Sequence, residues 1–205
     1  MEDKQLNEQD SLLLIQRMIH TAKQEQTDNG MGWIIWGWLL FLASVLTYFN
    51  LQYRWFDNFF FWNMFGFATI ALILYETIRT YVIKKKPKVK TYTSDLFDKL
   101  NIGFGISLFL IIFSMNIGYP DTTPPVKGFS LLLGLYGFWI LIYGTVLNFK
   151  PSIVGAFITW AFAFGGLFVP GDKFEITMLI HAAAVLCGYI IPGHLANIQF
   201  RKLKH

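Results

Sequence analysis

Apolar residues in this chain form long continuous runs, with polar residues gathered into the short segments between them. Six of these runs are about 20 residues long, which is the length of helix that the roughly 30 Å hydrocarbon core of a bilayer requires. The pattern predicts an all-α polytopic membrane protein with six transmembrane helices. The predicted spans are residues 30–49, 59–78, 100–118, 128–148, 151–169 and 174–191.

The composition agrees with this class of protein. Of the 205 residues, 54% are hydrophobic and only 15% are charged, whereas soluble domains carry about 25% charged residues. The first ten residues, "MEDKQLNEQD", are polar and acidic and lack the basic and apolar parts of a secretory signal. We therefore expect the first span to remain in the mature protein. A single cysteine, Cys187, excludes an internal disulfide and a cysteine-rich metal site.

The distribution of basic residues predicts the topology, because Lys and Arg accumulate in cytoplasmic loops. Fourteen of the 17 Lys and Arg residues precede the first span, follow the sixth, or lie between spans two and three or four and five. We therefore predict a bacterial cytoplasmic (inner) membrane protein with both termini in the cytoplasm. Short external links indicate three antiparallel hairpins. The remaining segments are an N-terminal segment at 1–29, a basic loop at 79–99 and a basic tail at 193–205.

Residues 10–25, "DSLLLIQRMIHTAKQE", have a different character from the spans. Their apolar residues recur at helical spacing on one face, and the other face is polar or basic. The pattern predicts an amphipathic helix that lies in the membrane interface. Docking on the helix bundle or on a protein partner fits the pattern equally well.

The cytoplasmic loop between spans two and three carries a dense run of lysines. Each Lys near an anionic leaflet contributes roughly 1 kcal/mol of attraction, so the run predicts contact with anionic lipids and enforces the topology. Nucleic acid is not an expected partner, because the run has no arginine and the loop has no folded reader module. The candidate lipid-contacting residues are Lys84, Lys85, Lys86, Lys88 and Lys90.

Tryptophans occur near both ends of the first hairpin, and indoles favour both membrane interfaces. Their positions predict an anchoring belt of Trp33, Trp36, Trp38, Trp55 and Trp62. The many glycines inside the spans are interpreted as positions of close helix packing, since small residues let membrane helices approach one another.

His181 is the exceptional residue of the sixth span, in the stretch "EITMLIHAAAVLCGYIIPGH". It lies roughly 10 Å inside the external boundary at 1.5 Å per residue, where an ionisable group is a functional-site hypothesis. Thr177, Ala184 and Gly188 share its helical face and predict an inward orientation. Residues at the same depth on other spans extend the hypothesis to an outward-facing polar cavity of His181, Tyr136, Thr177, Ser114 and Asn63.

Two interpretations of His181 remain open, a packed core histidine and a site, with Tyr136 as the expected hydrogen-bond partner. No cofactor, metal or catalytic residue is predicted. A haem between two histidines is not expected, because His194 lies roughly 20 Å further along the same helix. Zinc needs three or four ligands, and Cys187 points about 240° round the helix from His181.

The string "LIQRMIHTAKQEQTDNGMGWIIWGWLLF" and the closing "GYIIPGHLANIQFRK" resemble a set of small bacterial six-span membrane proteins of unknown activity. Members of that set share an N-terminal amphipathic helix and a first span rich in Trp and Gly. The resemblance covers residues 12–42 and the tail. It implies the architecture predicted above and no catalytic residues.

Two classes of function follow, neither of them enzymatic. In the first, the protein is an interaction or regulatory component of the membrane that uses its N-terminal helix and basic loop. In the second, it is a transporter of small molecules or ions, or a binding protein, with an outward-facing cavity around His181. The scarcity of polar residues in the spans favours the first class.

Overall fold

The computed structural model describes residues 29–78, 92–118 and 125–204, and its regular structure is helical throughout those ranges. A π-helical turn, Leu186–Ile190, joins the last two helices into one continuous rod. The helices are α1 (Met31–Tyr53), α2 (Phe60–Ile78), α3 (Tyr92–Gly118), α4 (Val126–Val146), α5 (Lys150–Leu167), α6 (Phe174–Val185) and α7 (Ile191–Lys204).

Five of these helices are long and apolar enough to cross a membrane, which confirms the prediction of a helical membrane protein. They are α1, the Asp95–Met115 part of α3, α4, α5 and the rod from Phe174 to Lys202, while α2 contributes a shorter apolar helix, Phe60–Leu72. The count of six spans and the hairpin arrangement stay predictions. The predicted helix at 10–25 and the lysine run at 84–90 lie outside the described residues.

Two helices extend beyond the predicted spans. The third helix begins at Tyr92, eight residues before the predicted third span, so its first turns lie within the predicted basic loop at 79–99. In that first part of α3, the Nζ atom of Lys99 lies 2.6 Å from Oδ2 of Asp95, one helical turn earlier, and such i,i+4 pairs support a polar helix end. The predicted basic tail is also helical through Lys204, because the last helical rod continues beyond its apolar part.

The centre of the bundle consists of α1, α4, α5 and α6. The most extensive packing joins α4 to α5, which are separated by only three residues, and the next most extensive joins α1 to α6. In contrast, α2 packs mainly on α1, and α3 packs mainly on α4. No residue of the Asp95–Met115 segment is buried. The molecule therefore has a four-helix core with two helices on its periphery.

We call the end of the bundle where α1 and α5 end the outer end, and the opposite end the inner end. At the outer end, Asn50 holds the link between α1 and α2. Its Nδ2 donates to the carbonyl oxygens of Phe56 and Asp57 at 3.2 and 2.9 Å, and its Oδ1 accepts from the backbone N–H of Phe56 at 2.8 Å. These bonds fix where α2 begins and so position the first turns of α2 against the core.

At the inner end, glycines bring the helix backbones together. A Cβ on Gly188 of the π-helical turn would collide with Oγ1 of Thr159 on α5, and one on Gly155 would lie 3.1 Å from the carbonyl oxygen of Cys187. On the α1 side, a Cβ on Gly37 would lie 2.8 Å from Cγ1 of Ile190. We call this set the glycine seam; its members are Gly30, Gly37, Gly155, Gly188 and Gly193.

Gly30 is the member that needs glycine for its backbone conformation as well as for space. Its φ is 68°, and a Cβ there would collide with the carbonyl oxygen of Gly193, so a residue with a side chain is excluded on both grounds. Next to it, Nδ2 of Asn197 donates to the carbonyl oxygen of Asn29 at 2.7 Å. These contacts dock α7 on the start of α1.

The π-helical turn was not predicted from the sequence. Pro192 follows it and has no N–H to donate, and its ring conflicts with the carbonyl four residues earlier in a regular α-helix. The backbone N–H of Ile191 instead bonds to the carbonyl oxygen of Leu186, five residues back. The wider turn thus accommodates Pro192 without ending the rod, at the level where the glycine seam packs.

Candidate functional site

His181 lies in the core of the bundle and has no exposed surface. The packing of α6 on α1 places its Nδ1 atom 2.9 Å from Oγ of Ser44. The same Oγ lies 2.8 Å from the carbonyl oxygen of Leu40, one turn earlier in α1. The imidazole is therefore tied to α1 through one hydroxyl group, which fixes the orientation of the ring.

Three aromatic side chains surround the imidazole ring. Its centroid lies 5.2 Å from that of Trp62 on α2, and 5.9 Å from those of Phe129 and Tyr136 on α4. The interplanar angles are between 76° and 87°, which is the edge-to-face geometry that aromatic pairs favour. The surroundings of His181 beyond Ser44 are thus apolar ring faces and edges.

Three buried polar atoms of α4 and α6 have no hydrogen-bond partner in the described part of the chain: Nε2 of His181, Oγ1 of Thr177 and Oγ of Ser130. Thr177 precedes His181 by one helical turn on α6, and Ser130 follows Phe129, whose ring contacts His181. Nearly all buried polar atoms in proteins have a partner, including ordered water, and each one without a partner costs about 1–3 kcal/mol. Three of them on two neighbouring helices therefore point to a site.

The structure brings together part of the predicted cavity. Thr177, Ala184 and Gly188 are buried on the same face as His181, and Tyr136 contacts it. Asn63 and Ser114 do not take part, since both are exposed, on α2 and α3 respectively. On α2 the residue beside Asn63 that packs against the core is Trp62, and on α3 it is Met115 and not the exposed Ser114.

The predicted hydrogen-bond partner is also wrong. Nδ1 of His181 is bonded to Ser44, and Tyr136 meets the imidazole through its ring only. A signal for Ser44 does exist in the sequence, because Ser44, Thr47 and Asn50 recur at a spacing of three and all are buried on one face of α1. Ser44 was not predicted, because the residues expected at the depth of His181 all lie on the second, third and fourth spans.

Trp62 is a second correction. The sequence placed it in the interfacial belt, but its indole packs against His181 and Phe129, and its Nε1 donates to Sδ of Met178 at 3.3 Å. Trp33 likewise packs inward, with ring centroids 4.4 Å from Tyr143 and 4.9 Å from Tyr189. Both rings are fixed by tertiary contacts, which their position near a span end does not reveal.

A separate groove of about 410 Å³ lies between α4 and α5. It is almost entirely apolar, and Nε1 of Trp160 at its wall donates to the carbonyl oxygen of Gly134 at 2.9 Å. The lining residues are Ser130, Leu131, Gly134, Trp160, Ala163, Phe164 and Leu167.

The donor set at His181 suits hydrogen bonding. Within residues 29–78, 92–118 and 125–204, no three His, Cys, Asp or Glu side chains lie close enough together to hold a metal ion. The buried polar side-chain groups of this region are an imidazole and hydroxyl groups, of which Ser44 contacts the imidazole. No family model, curated protein or solved structure matches this chain, so the resemblance noted from the sequence stays a prediction.

Proposed function

We propose that this chain is a six-span, non-enzymatic protein of the bacterial cytoplasmic membrane that binds a small uncharged molecule at His181. The observation that carries the proposal is the Nε2 atom of His181, which is buried and has no partner among the described residues. The other nitrogen is held by Ser44, so the ring cannot turn away to satisfy Nε2 elsewhere.

The surroundings of Nε2 favour an uncharged ligand with an apolar body. Trp62, Phe129 and Tyr136 supply ring surfaces, and ligand sites typically combine such surfaces with a few placed polar groups. A charged ligand would lose its hydration among these rings at a large cost in free energy. Thr177 supplies a second polar contact one turn away.

Trp62 provides the route of access. It lies on α2, a peripheral helix, and its ring covers His181 on that side. Within the described residues its indole N–H bonds to the sulfur of Met178, and a thioether is a weak acceptor. A ligand that displaces this indole therefore replaces a weak hydrogen bond, and it reaches His181 from the bilayer between α2 and the core.

The experiment is to purify the full chain from its native membrane in mild detergent and to quantify the bound small molecules by mass spectrometry. The comparison is between the wild type and His181→Phe, which keeps a ring at this position but removes both nitrogens. Gly165→Ala is the control, because a Cβ there meets nothing within 4 Å. We expect one molecule per chain in the wild type and the control, and its loss in His181→Phe. Equal contents in all three proteins contradict the proposal.

The proposed orientation places both termini in the cytoplasm, with the outer end of the bundle facing away from it. The support is the position of the basic residues, since only Arg54, Lys127 and Lys173 lie on the opposite side. A reporter fused after His205 should be active only in its cytoplasmic form. An external signal contradicts this orientation.

A second candidate is an interaction or regulatory component of the membrane, and the position of α3 favours it. This helix crosses the membrane with no buried residue in its Asp95–Met115 segment, which leaves most of its surface to lipid or to another protein. Contact of the basic loop with anionic lipids, and of residues 10–25 with a partner, belong to the same hypothesis. Deletion of residues 1–25 should then remove a protein that co-purifies with the full chain.

A further inference from the structure

The hydrogen bonds of Ser44 determine which nitrogen of His181 carries the proton. The Ser44 hydroxyl has a single hydrogen, and its Oγ lies 2.8 Å from the carbonyl oxygen of Leu40 and 2.9 Å from Nδ1. A carbonyl oxygen can only accept. If the hydrogen pointed to Nδ1, two acceptor oxygens would face each other at 2.8 Å and repel.

The Ser44 hydroxyl therefore donates to the Leu40 carbonyl, and the second short contact must have its proton on Nδ1. A neutral imidazole has one N–H, so Nε2 presents a bare lone pair to the ring cage formed by Trp62, Phe129 and Tyr136. No carboxylate bonds to His181 in the part of the chain that the structure describes. A second proton would place an unpaired charge among apolar rings, which costs free energy, so the neutral ring is expected.

We infer that Nε2 of His181 is a hydrogen-bond acceptor and that the molecule bound there is an uncharged hydroxyl compound, such as an alcohol, a phenol or a quinol. This inference rests on the proposed function and specifies its ligand. A ligand hydroxyl donates its hydrogen to Nε2. A carbonyl or an ether oxygen at the same place would meet the lone pair of Nε2 with its own lone pairs.

Thr177 completes the recognition of a hydroxyl group. It precedes His181 by four residues, and side chains at this spacing are neighbours on a helix surface. Its Oγ1 is buried and without a partner within the described ranges, so its hydrogen is available. One ligand oxygen can thus donate to Nε2 and accept from Thr177, which is the combination of donor and acceptor that a hydroxyl group has and that a carbonyl lacks.

The first test is the tautomer of His181 in the full chain, labelled with ¹⁵N in its histidine rings and kept in detergent micelles. The ¹⁵N chemical shifts distinguish a protonated nitrogen from a bare one, and the signals of His181 are those missing in His181→Phe. We expect a protonated Nδ1 and a bare Nε2. The opposite tautomer overturns the inference and leaves the proposed binding site standing.

The second test compares two probes, phenol and anisole, which share a ring and differ by a hydroxyl or a methoxy group. We expect phenol to bind at least tenfold more tightly than anisole and to shift the Nε2 signal, and we expect Thr177→Val to reduce this preference. Equal affinities that still depend on His181 overturn the inference alone. If neither probe shifts the signals of His181, the proposed function fails together with the inference.

Discussion

The two halves of the last transmembrane rod are built on different principles. In the outer half, α6 carries His181 and Thr177 among aromatic rings, and two of its buried polar atoms have no partner within the described residues. In the inner half, the π-helical turn and the start of α7 contact α1 and α5 through the glycine seam. The inner contacts bring small residues close to neighbouring backbones, while the outer contacts leave hydrogen-bonding capacity unused.

This difference indicates that the inner half of the rod serves folding and the outer half serves binding. Membrane helices have no hydrophobic drive to associate, so close contact of small residues supplies much of their attraction, and the seam fits that description. Unpartnered polar atoms lower stability, and native proteins retain such costs mainly where they serve function. We therefore expect substitutions in the seam to affect folding, and substitutions around His181 to affect binding.

The largest expected effect is that of Gly188→Ala, because the new Cβ collides with Oγ1 of Thr159 and lies 3.0 Å from Cδ1 of Ile140. Overpacking of this kind costs about 1–3 kcal/mol. The measurement is the midpoint of thermal unfolding in detergent, with Gly165→Ala as the control that leaves it unchanged or slightly higher. Thr159→Ala removes the hydroxyl and should restore part of the loss in the double variant. A Gly188→Ala protein as stable as the control would contradict the structural role of the glycine seam.

Two buried serines give the next test. Ser44→Ala removes the partner that Nδ1 of His181 has in the described structure and leaves a buried ring donor unsatisfied, which costs about 1–3 kcal/mol. Ser130 is equally buried, but its Oγ has no partner to lose in the described structure, so Ser130→Ala should leave the unfolding midpoint unchanged or raise it. Equal losses of stability in both variants would show that the assigned hydrogen bond does not hold His181.

Thr177→Val tests the outer half of the rod further, because it should raise stability while it weakens binding. The substitution keeps the shape of the side chain and removes an unpartnered buried hydroxyl, so we expect a gain of up to about 1 kcal/mol in the free energy of unfolding. The same variant should retain less of the bound molecule after purification. A clear destabilisation would mean that Oγ1 of Thr177 has a structural partner.

The smallest effect on stability is expected for Trp62→Phe. A smaller aromatic ring remains over His181 and Phe129, and the hydrogen bond to the sulfur of Met178 is lost. The loss should be about 0.5 kcal/mol or less, because a thioether is a weak acceptor. Exchange of the bound molecule should nevertheless become faster, which a chase with phenol followed over time would detect. An unchanged exchange rate would exclude Trp62 as the cover of the site.

The positions of the helices could be predicted because the apolar runs mark where the chain must satisfy its backbone within the bilayer. His181 could be selected for the same reason, since an ionisable group at that depth stands out from its apolar neighbours. The neighbours of His181 could not be predicted, because depth gives how far along a helix a residue lies and does not give which helices are adjacent. For this reason the hydrogen-bond partner of His181 is Ser44 and not the expected Tyr136, and Ser114 lies on the peripheral helix α3.

The sequence does contain a local signal for the π-helical turn. Pro192 inside a continuous helix requires a local change of the hydrogen-bond register, and Gly188, four residues earlier, is where the ring would meet a carbonyl oxygen. Whether the helix breaks, kinks or widens depends on the tertiary contacts, here with α1 and α5. The sequence therefore marks the irregularity but leaves its form undetermined.

The most direct test of the account is the ¹⁵N signal of Nε2 of His181 in protein carrying its native small molecule, compared with the same protein after that molecule has been removed by exhaustive detergent exchange. The account predicts that the Nε2 signal moves on removal while the Nδ1 signal, held by Ser44, stays in place. Identical spectra before and after removal would contradict a binding site at His181 and leave it a packed core residue.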